Sequence, residues 1–274
     1  MAIAAHLSLL RDPPNRWHQW KQQHDQTNLD LSQAQLQRVD FTHRDCSGVN
    51  FSASDLTGAN LKGVPLHQAQ LNNAILHQAE LGGAIASHAS FVAASLVDSN
   101  LAGIDLHQAN LIGADLRGAN LDYGNLYRTH LVGANLYNAS LVHVQGYGTQ
   151  LEKASLNRAT LYHAHLHYAH LSQATFHEAD LVNAHLCHAN LSQASLQSAH
   201  FNSAYLFDVD LSDANLTAAD FRRATLVQVT FTGANLNHTN FRGATFIRCN
   251  PTSVARSTTD LSEVQYLPAA DLIL

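Results

Sequence analysis

The sequence predicts an all-β prism: a four-sided solenoid of short strands stacked coil on coil behind a helical N-terminal cap. Three observations carry that expectation. They are an apolar residue at every fifth position, a longer repeat of 20 residues in side-chain size, and a tryptophan-bearing segment ahead of the first repeat.

A period of five suits neither regular element. On an α-helix each step of five advances ~500° and scatters the leucines around the axis. On a straight strand an odd step sends successive leucines to opposite faces. The period makes sense when the chain turns a corner once per repeat, with the centre and its second predecessor inward and the other positions outward or at the corner. Centres run without insertion from Leu31 to Phe246, giving 44 pentapeptides over residues 29–248, and all are Leu or Phe except Cys46, Ala86 and Gly146.

Those exceptions set the number of sides. They lie 40 and 60 residues apart, so they share one side if four pentapeptides make a coil. The column from Ala34 to Ala234 in steps of 20 is Ala except for Ser54, whereas the neighbouring column admits Val49, Thr129, Thr149, Val209 and Val229. Size depends on position within 20 residues, as it must when residues 20 apart stack in one close-packed interior. On the side with the small centres, Val64, Ile104 and Val144 take the second inward position, a local compensation of volume. With 44 pentapeptides, four to a coil, about 11 coils are expected, and the rod is roughly 50 Å long at ~4.8 Å per coil.

Stretches such as "ANLIGADLRGANL" (109–121) resemble the pentapeptide-repeat family, A(D/N)LXX. The resemblance covers about four fifths of the chain and implies a right-handed quadrilateral parallel β-helix. A repeat scaffold hosts many functions, so the resemblance by itself assigns none.

The cap is expected over residues 1–28, the β-helix over 29–250 and a C-terminal cap or tail over 251–274. "NRWHQWKQQH" follows Pro13-Pro14, offers Asn15 as an N-cap, and sets Trp17, Trp20 and His24 on one face of a helix over about 15–24. Such a helix would cover the open strand edge of the first coil. The segment also resembles the N-terminal cap of many cyanobacterial members, with Asn28-Leu29 where a Pro usually precedes the first Asp-Leu. At the other end Pro251 replaces a centre, Arg256 follows, and the frame returns at Leu261 and Tyr266. The tail "LPAADLIL" is apolar enough to fold back or to pack against a second copy.

A formal net charge of −6 over 274 residues is modest, and no apolar run is long enough to span a membrane. Cys46 and Cys249 point inward near opposite ends while Cys187 points outward, so the three cannot pair; reduced thiols fit the cytoplasm.

Function must then lie on the outer surface. There is no phosphate-cradling glycine loop, nucleophile elbow or HExxH, and the glycines recur at the corner, where a turn wants positive φ. Outward carboxylates are scattered, and a convex prism lacks a water-excluding cleft. A non-enzymatic protein without cofactor is expected. The family resemblance supplies an alternative, since its best known activity is inhibition of DNA gyrase and related type II topoisomerases by a negatively charged rod that imitates the duplex. That mimicry needs closely repeated negative charge. Here Arg and Lys interrupt every side, and direct nucleic-acid binding is not expected.

One side, centred on 46, 66, 86 and onward to 246, collects rings at its outward positions. After His67, His88 and His107 come Tyr127, Tyr147, His165, His167, Tyr168, His185, His188, Tyr205 and Phe207. Rings stacked at the coil spacing can form ladders. An aromatic-rich, charge-poor surface is also the composition of partner-binding hot spots. Within it His165 and His167 flank Leu166, and His185 and Cys187 flank Leu186 one coil later, so these four side chains bound a small rectangle of zinc-ligand types. On the next side Val92, Ile112 and Val132 form a short apolar stripe. The expectation is a cytoplasmic protein-interaction scaffold, regulatory or assembly-related in a cyanobacterium-like organism, with an unidentified protein partner. A homodimer through the C-terminal tail or the Val92, Ile112, Val132 stripe is the further option.

Overall fold

The computed structural model describes residues 4–24, 29–249 and 258–267. Each five-residue unit closes one corner. In the first, the N–H of Ala34 donates to the C=O of Leu31 at 3.3 Å, with Gln33 between them at φ 58°. The same closure recurs at Ala59 to Leu56 (2.9 Å) and Ala114 to Leu111 (3.0 Å), a four-residue turn with its third residue left-handed. Gly63 and Gly113 stand at that position as expected, but so do His43, Tyr123 and Tyr168. An L residue there costs roughly 1–2 kcal/mol, which the turn hydrogen bond and the burial of the adjacent Leu offset.

Between corners the coils pair in parallel, always with the residue 20 positions on: Asp30 with Asn50, Gln35 with Asp55, Asp40 with Asn60, and so on to Asn240 with Asp260. A coil is therefore 20 residues and four sides. The N–H of Leu31 donates to Asn50 O at 2.7 Å, Gln33 N–H to Ser52 O at 2.9 Å, and Asn50 N–H back to Leu29 O at 2.8 Å. The N–H just after the centre is served by the side chain just before it. Thr42 N–H donates to Asp40 Oδ1 (2.9 Å), Tyr127 N–H to Asn125 Oδ1 (3.1 Å) and Arg242 N–H to Asn240 Oδ1 (2.9 Å). This is the physical reason that Asp or Asn precedes so many of the leucines: the short side chain reaches a backbone donor two residues on.

Centres and their second predecessors fill the interior, with Leu111, Leu116, Leu121 and Leu126 all fully buried. The small centre Gly146 is filled from the next coil, since a Cβ there would sit 2.8 Å from Leu166 Cδ2. Thr129 and Thr149 bury their hydroxyls by donating to Leu106 O and Leu126 O, each at 2.8 Å. Phe201, Phe221 and Phe241 stack in one column at 4.5 and 5.1 Å between centroids. On the side of residues 46 to 246 the later coils lengthen into strands: β1 (His185–Cys187), β2 (Tyr205–Phe207), β3 (Thr225–Val227), β4 (Thr245–Ile247) and β5 (Gln265–Leu267), a parallel sheet in that order.

The cap holds two helices, α1 (Ala4–Ser8) and α2 (Pro14–Gln23). The short α1 was not legible as a helix, and the expected N-cap is corrected. Pro13 occupies it, Pro14 opens the helix, and Asn15 lies inside the first turn with no side-chain cap bond at the terminus. Proline suits that place because its missing N–H would be unpaired anyway.

The cap supplies what the missing preceding coil would have supplied. Trp17 Nε1 donates to Asp45 O (2.7 Å), Lys21 Nζ to Ser47 O (2.8 Å), and Asp30 N–H donates to His6 Nδ1 (2.9 Å). Trp17 is fully buried, while Trp20 is half-buried between the rings of His6 (4.7 Å) and His24 (4.3 Å). At the other end Asp260 pairs with Asn240, and Tyr266 stacks on Phe246 at 5.6 Å, so the frame does return. Pro251, Arg256 and the tail 268–274 lie outside the described residues. Among the described residues no helix is long and apolar enough to cross a membrane.

Candidate functional site: a ring-lined face

The stacking of coils carries the outward rings of one side into contact. His88 meets His107 (5.7 Å), His107 stacks on Tyr127 (5.1 Å, 7°), and Tyr127 on Tyr147 (5.4 Å, 12°). The run then crosses to Tyr168 (5.0 Å, 44°), stacks on His188 (4.6 Å, 20°) and ends edge-on against Phe207 (5.2 Å, 83°). Beside it His165 stacks on His185 (5.0 Å, 17°), which touches Tyr205 (6.1 Å). Tyr147 and Tyr168 are exposed; Tyr127, His165, His167, His185, Cys187, His188, Tyr205 and Phe207 are half-exposed. The structure thus brings most of the sequence-chosen rings together on one side in two groups, one from His88 to Phe207 and one of His165, His167, His185 and Tyr205.

Packing tunes its ionisable groups. Burial, reinforced by repulsion from His185, pushes the pKa of His165 down; burial and then His165 do the same to His167. Both are held neutral to lower pH than a free imidazole. Burial pushes the Cys187 thiol up, away from the thiolate that a metal would take. The rings of His165, His167 and His185 sit 5.0 to 6.2 Å apart and stack or tilt against one another. Among the described residues no group of three or more His, Cys, Asp and Glu side chains is placed to hold a metal ion.

Two features escaped the sequence reading. A second ladder runs along another side, Tyr123 on His143 (5.2 Å, 15°) and His143 on His163 (4.9 Å, 2°), with Tyr162 edge-on to His163 (4.3 Å). Their spacing of 20 was the available signal. The other is a surface groove of about 570 Å³ at the edge of the ring-lined face, lined by Arg128, Tyr147 and Tyr168 together with His130, Gln150 and His170. Gly148 is part of its lining, and it stands at the corner position where the glycines recur.

Elsewhere the outer carboxylates are partly neutralised. Asp115 pairs with Arg117 (2.7 Å), Glu178 with Arg158 (2.8 Å), Asp220 with Arg222 (2.6 Å) and Glu263 with Arg242 (2.9 Å). In the apolar stripe Ile112 is 42% exposed, and Val92 and Val132 are half-buried beside it.

Four-sided coils, corners closed by left-handed residues, and an Asp or Asn feeding the backbone before the centre define a pentapeptide β-helix. The chain belongs to the pentapeptide-repeat family, whose model, pentapeptide repeats, matches overlapping windows from 34–73 to 176–213 and then 214–250. No curated protein matches the sequence at a significant level. Among solved structures the chain is similar to HetL, a pentapeptide repeat protein involved in heterocyst differentiation regulation from the cyanobacterium Nostoc sp. strain PCC 7120, with 27% identity, 83% of this chain and 94% of that chain covered, and a TM-score of 0.37. It is also similar to QnrB1, a plasmid-mediated fluoroquinolone resistance protein, with 17% identity, coverage of 68% and 89%, and a TM-score of 0.37. Rfr23, a pentapeptide repeat protein of the cyanobacterium Cyanothece 51142, is 25% identical over 44% of this chain and 86% of that chain, with a TM-score of 0.19. The family assignment rests on the repeat itself.

Proposed function

We propose that this protein is a non-enzymatic scaffold that binds a protein partner through its ring-lined face, in a regulatory or assembly role in the cytoplasm of a cyanobacterium-like cell. The observation that supports it is the unbroken run of rings from His88 to Phe207. Such rings offer large contact area at little cost in side-chain entropy. The rod holds them at fixed spacing, so the face is preorganised for its partner.

Affinity capture from the native cell tests the reading, with wild type compared against a Tyr147→Ser/Tyr168→Ser variant of equal melting temperature. Loss of a captured protein supports the scaffold; identical capture removes it. A DNA-mimicking role toward a type II topoisomerase has weaker support, because several of the carboxylates that would imitate phosphates are bound by arginines. The proposal expects no effect on gyrase supercoiling. We place any self-association at the 268–274 tail or at Val92, Ile112 and Val132, and light scattering on a tail deletion and on an Ile112→Lys variant separates the two.

A further inference from the structure

The groove beside Tyr147 and Tyr168 has an unusual charge pattern for this rod. Arg128 lines it, with its guanidinium carbon 5.2 Å from the ring centroid of Tyr127. Among the described residues Arg128 makes no ion pair. No carboxylate lines the groove; the other polar side chains are histidines and glutamines, among them His130, Gln150 and His170. Glu152 stands 3.6 Å from His170 but outside the lining.

A second groove, near the C-terminal end, shows the contrast. There Arg222, Arg223 and Arg242 share the lining with Glu263, and Arg222 and Arg242 are already paired with Asp220 (2.6 Å) and Glu263 (2.9 Å). Both grooves use the same packing, an arginine stem over a glycine one coil later. A Cβ on Gly148 would sit 3.4 Å from Arg128 Cγ, and one on Gly243 would sit 3.8 Å from Arg223 Cγ. In the C-terminal groove three arginines share Glu263 of the lining and the adjacent Asp220, whereas the lining beside Tyr147 holds Arg128 and no carboxylate at all.

We infer that this groove takes an acidic, aromatic-bearing segment of the partner protein, with Arg128 holding a carboxylate and Tyr147 and Tyr168 packing against an adjacent ring. The inference rests on the ring-lined face being the binding face, and it adds the chemistry of what binds there. A guanidinium presents a fork of donors matched to a carboxylate. Gly148 leaves the gap into which the partner's side chain enters, and Tyr147 and Tyr168 form its aromatic wall.

The test uses fluorescence anisotropy with the full chain and three labelled peptides: Gly-Asp-Tyr-Asp-Tyr-Asp-Gly and the counterparts with Ser or Lys in place of Asp. The acidic peptide is expected to bind about tenfold more tightly than the serine peptide at low ionic strength, with the preference falling as salt rises. Arg128→Gln should remove that preference, whereas Arg223→Gln should keep it; equal melting temperatures exclude misfolding. If the serine peptide binds as well as the acidic one and only Tyr168→Ser weakens both, the ring-lined face stands and acidic selectivity is overturned. If no peptide binds, or Arg128→Gln binds like wild type, the inference is likewise overturned. Affinity capture then judges the scaffold reading separately.

Discussion

Tyr147 packs against Tyr168 at 5.0 Å, although the residue that lies 20 positions on, in its own column, is His167. The ring run changes column three times, from His88 to His107, from Tyr147 to Tyr168 and from His188 to Phe207, and at the second crossing Tyr168 stands in the column of Gly148. A larger residue at position 148 should therefore cut the run in two. Gly148→Leu should leave the rod folded, because many non-glycine residues adopt the same left-handed corner, at a cost of about 1–2 kcal/mol. It should fill the groove and abolish acidic-peptide binding, as anisotropy would show. Unchanged binding would mean that the gap is not used.

The interior is the least forgiving region. Leu111 is fully buried at mid-rod, and Leu111→Lys leaves a charge with no partner, costing about 3–5 kcal/mol or more. Denaturant unfolding should show a split or lost transition. Arg117 points outward and pairs with Asp115 on the surface, so Arg117→Ala should leave the melting curve in place. Equal effects at the two sites would refute the inward and outward assignment.

Overpacking should also be felt locally. At Gly124 an added Cβ would lie 2.9 Å from Leu121 O and 3.6 Å from Ile104 Cγ2, and a backbone oxygen has little room to yield. Gly124→Ala should destabilise by about 1–3 kcal/mol. At Gly146 the tightest neighbour is the flexible end of Leu166, so Gly146→Ala should cost less. Chemical denaturation of the pair checks the order.

The inward pattern, the four sides and the ring-lined side were legible because a strict period of 20 converts sequence distance into contact. Where that conversion failed, the cause was local. Asn15 looked like a cap, but a proline at the helix start leaves less to cap. Helix α1 is five residues long and has no periodic stripe. Its place is fixed by tertiary bonds such as His6 Nδ1 to Asp30 N–H, which no pattern within α1 encodes. The groove is lined by residues from several coils, among them Arg128, Gly148 and His170, that no one column of the sequence brings together.

Acid should loosen the rod. The backbone and side-chain donors of Thr42 hold the Asp40 carboxyl below its ordinary value of 3.8, and Arg117 does the same for Asp115. A depressed folded pKa contributes stability that is present above 3.8 and is lost as pH falls through the folded value. His165 and His167 act earlier. Their folded pKa values lie below 6.5, so below that pH the unfolded chain takes up protons the folded face refuses, and stability falls. Melting temperature should thus decline first below about pH 6.5 and again below about pH 4. With His165 and His167 both changed to Gln, the first decline should shrink and the second persist.

The cap should matter more through Trp17 than through Trp20. Trp17 is fully buried and donates to Asp45 O at 2.7 Å, whereas Trp20 is half-buried. Trp17→Ala should cost about 3–5 kcal/mol and expose the first coil's edge to association. Trp17→Phe, which keeps a ring and loses the donor, should cost about 1–3 kcal/mol. Light scattering and melting of both variants separate packing from the hydrogen bond.

The central claim is that the partner docks on the ring-lined face, and site-specific photo-crosslinking in the native cell tests it most directly. A photoreactive phenylalanine analogue would replace Tyr147 or Tyr168 on that face, or Tyr123 or Tyr162 on the second ladder. The account predicts a shared crosslinked protein from positions 147 and 168 and none of it from 123 and 162. Equal crosslinking from both ladders, or a partner captured from 123 and 162 alone, would contradict it.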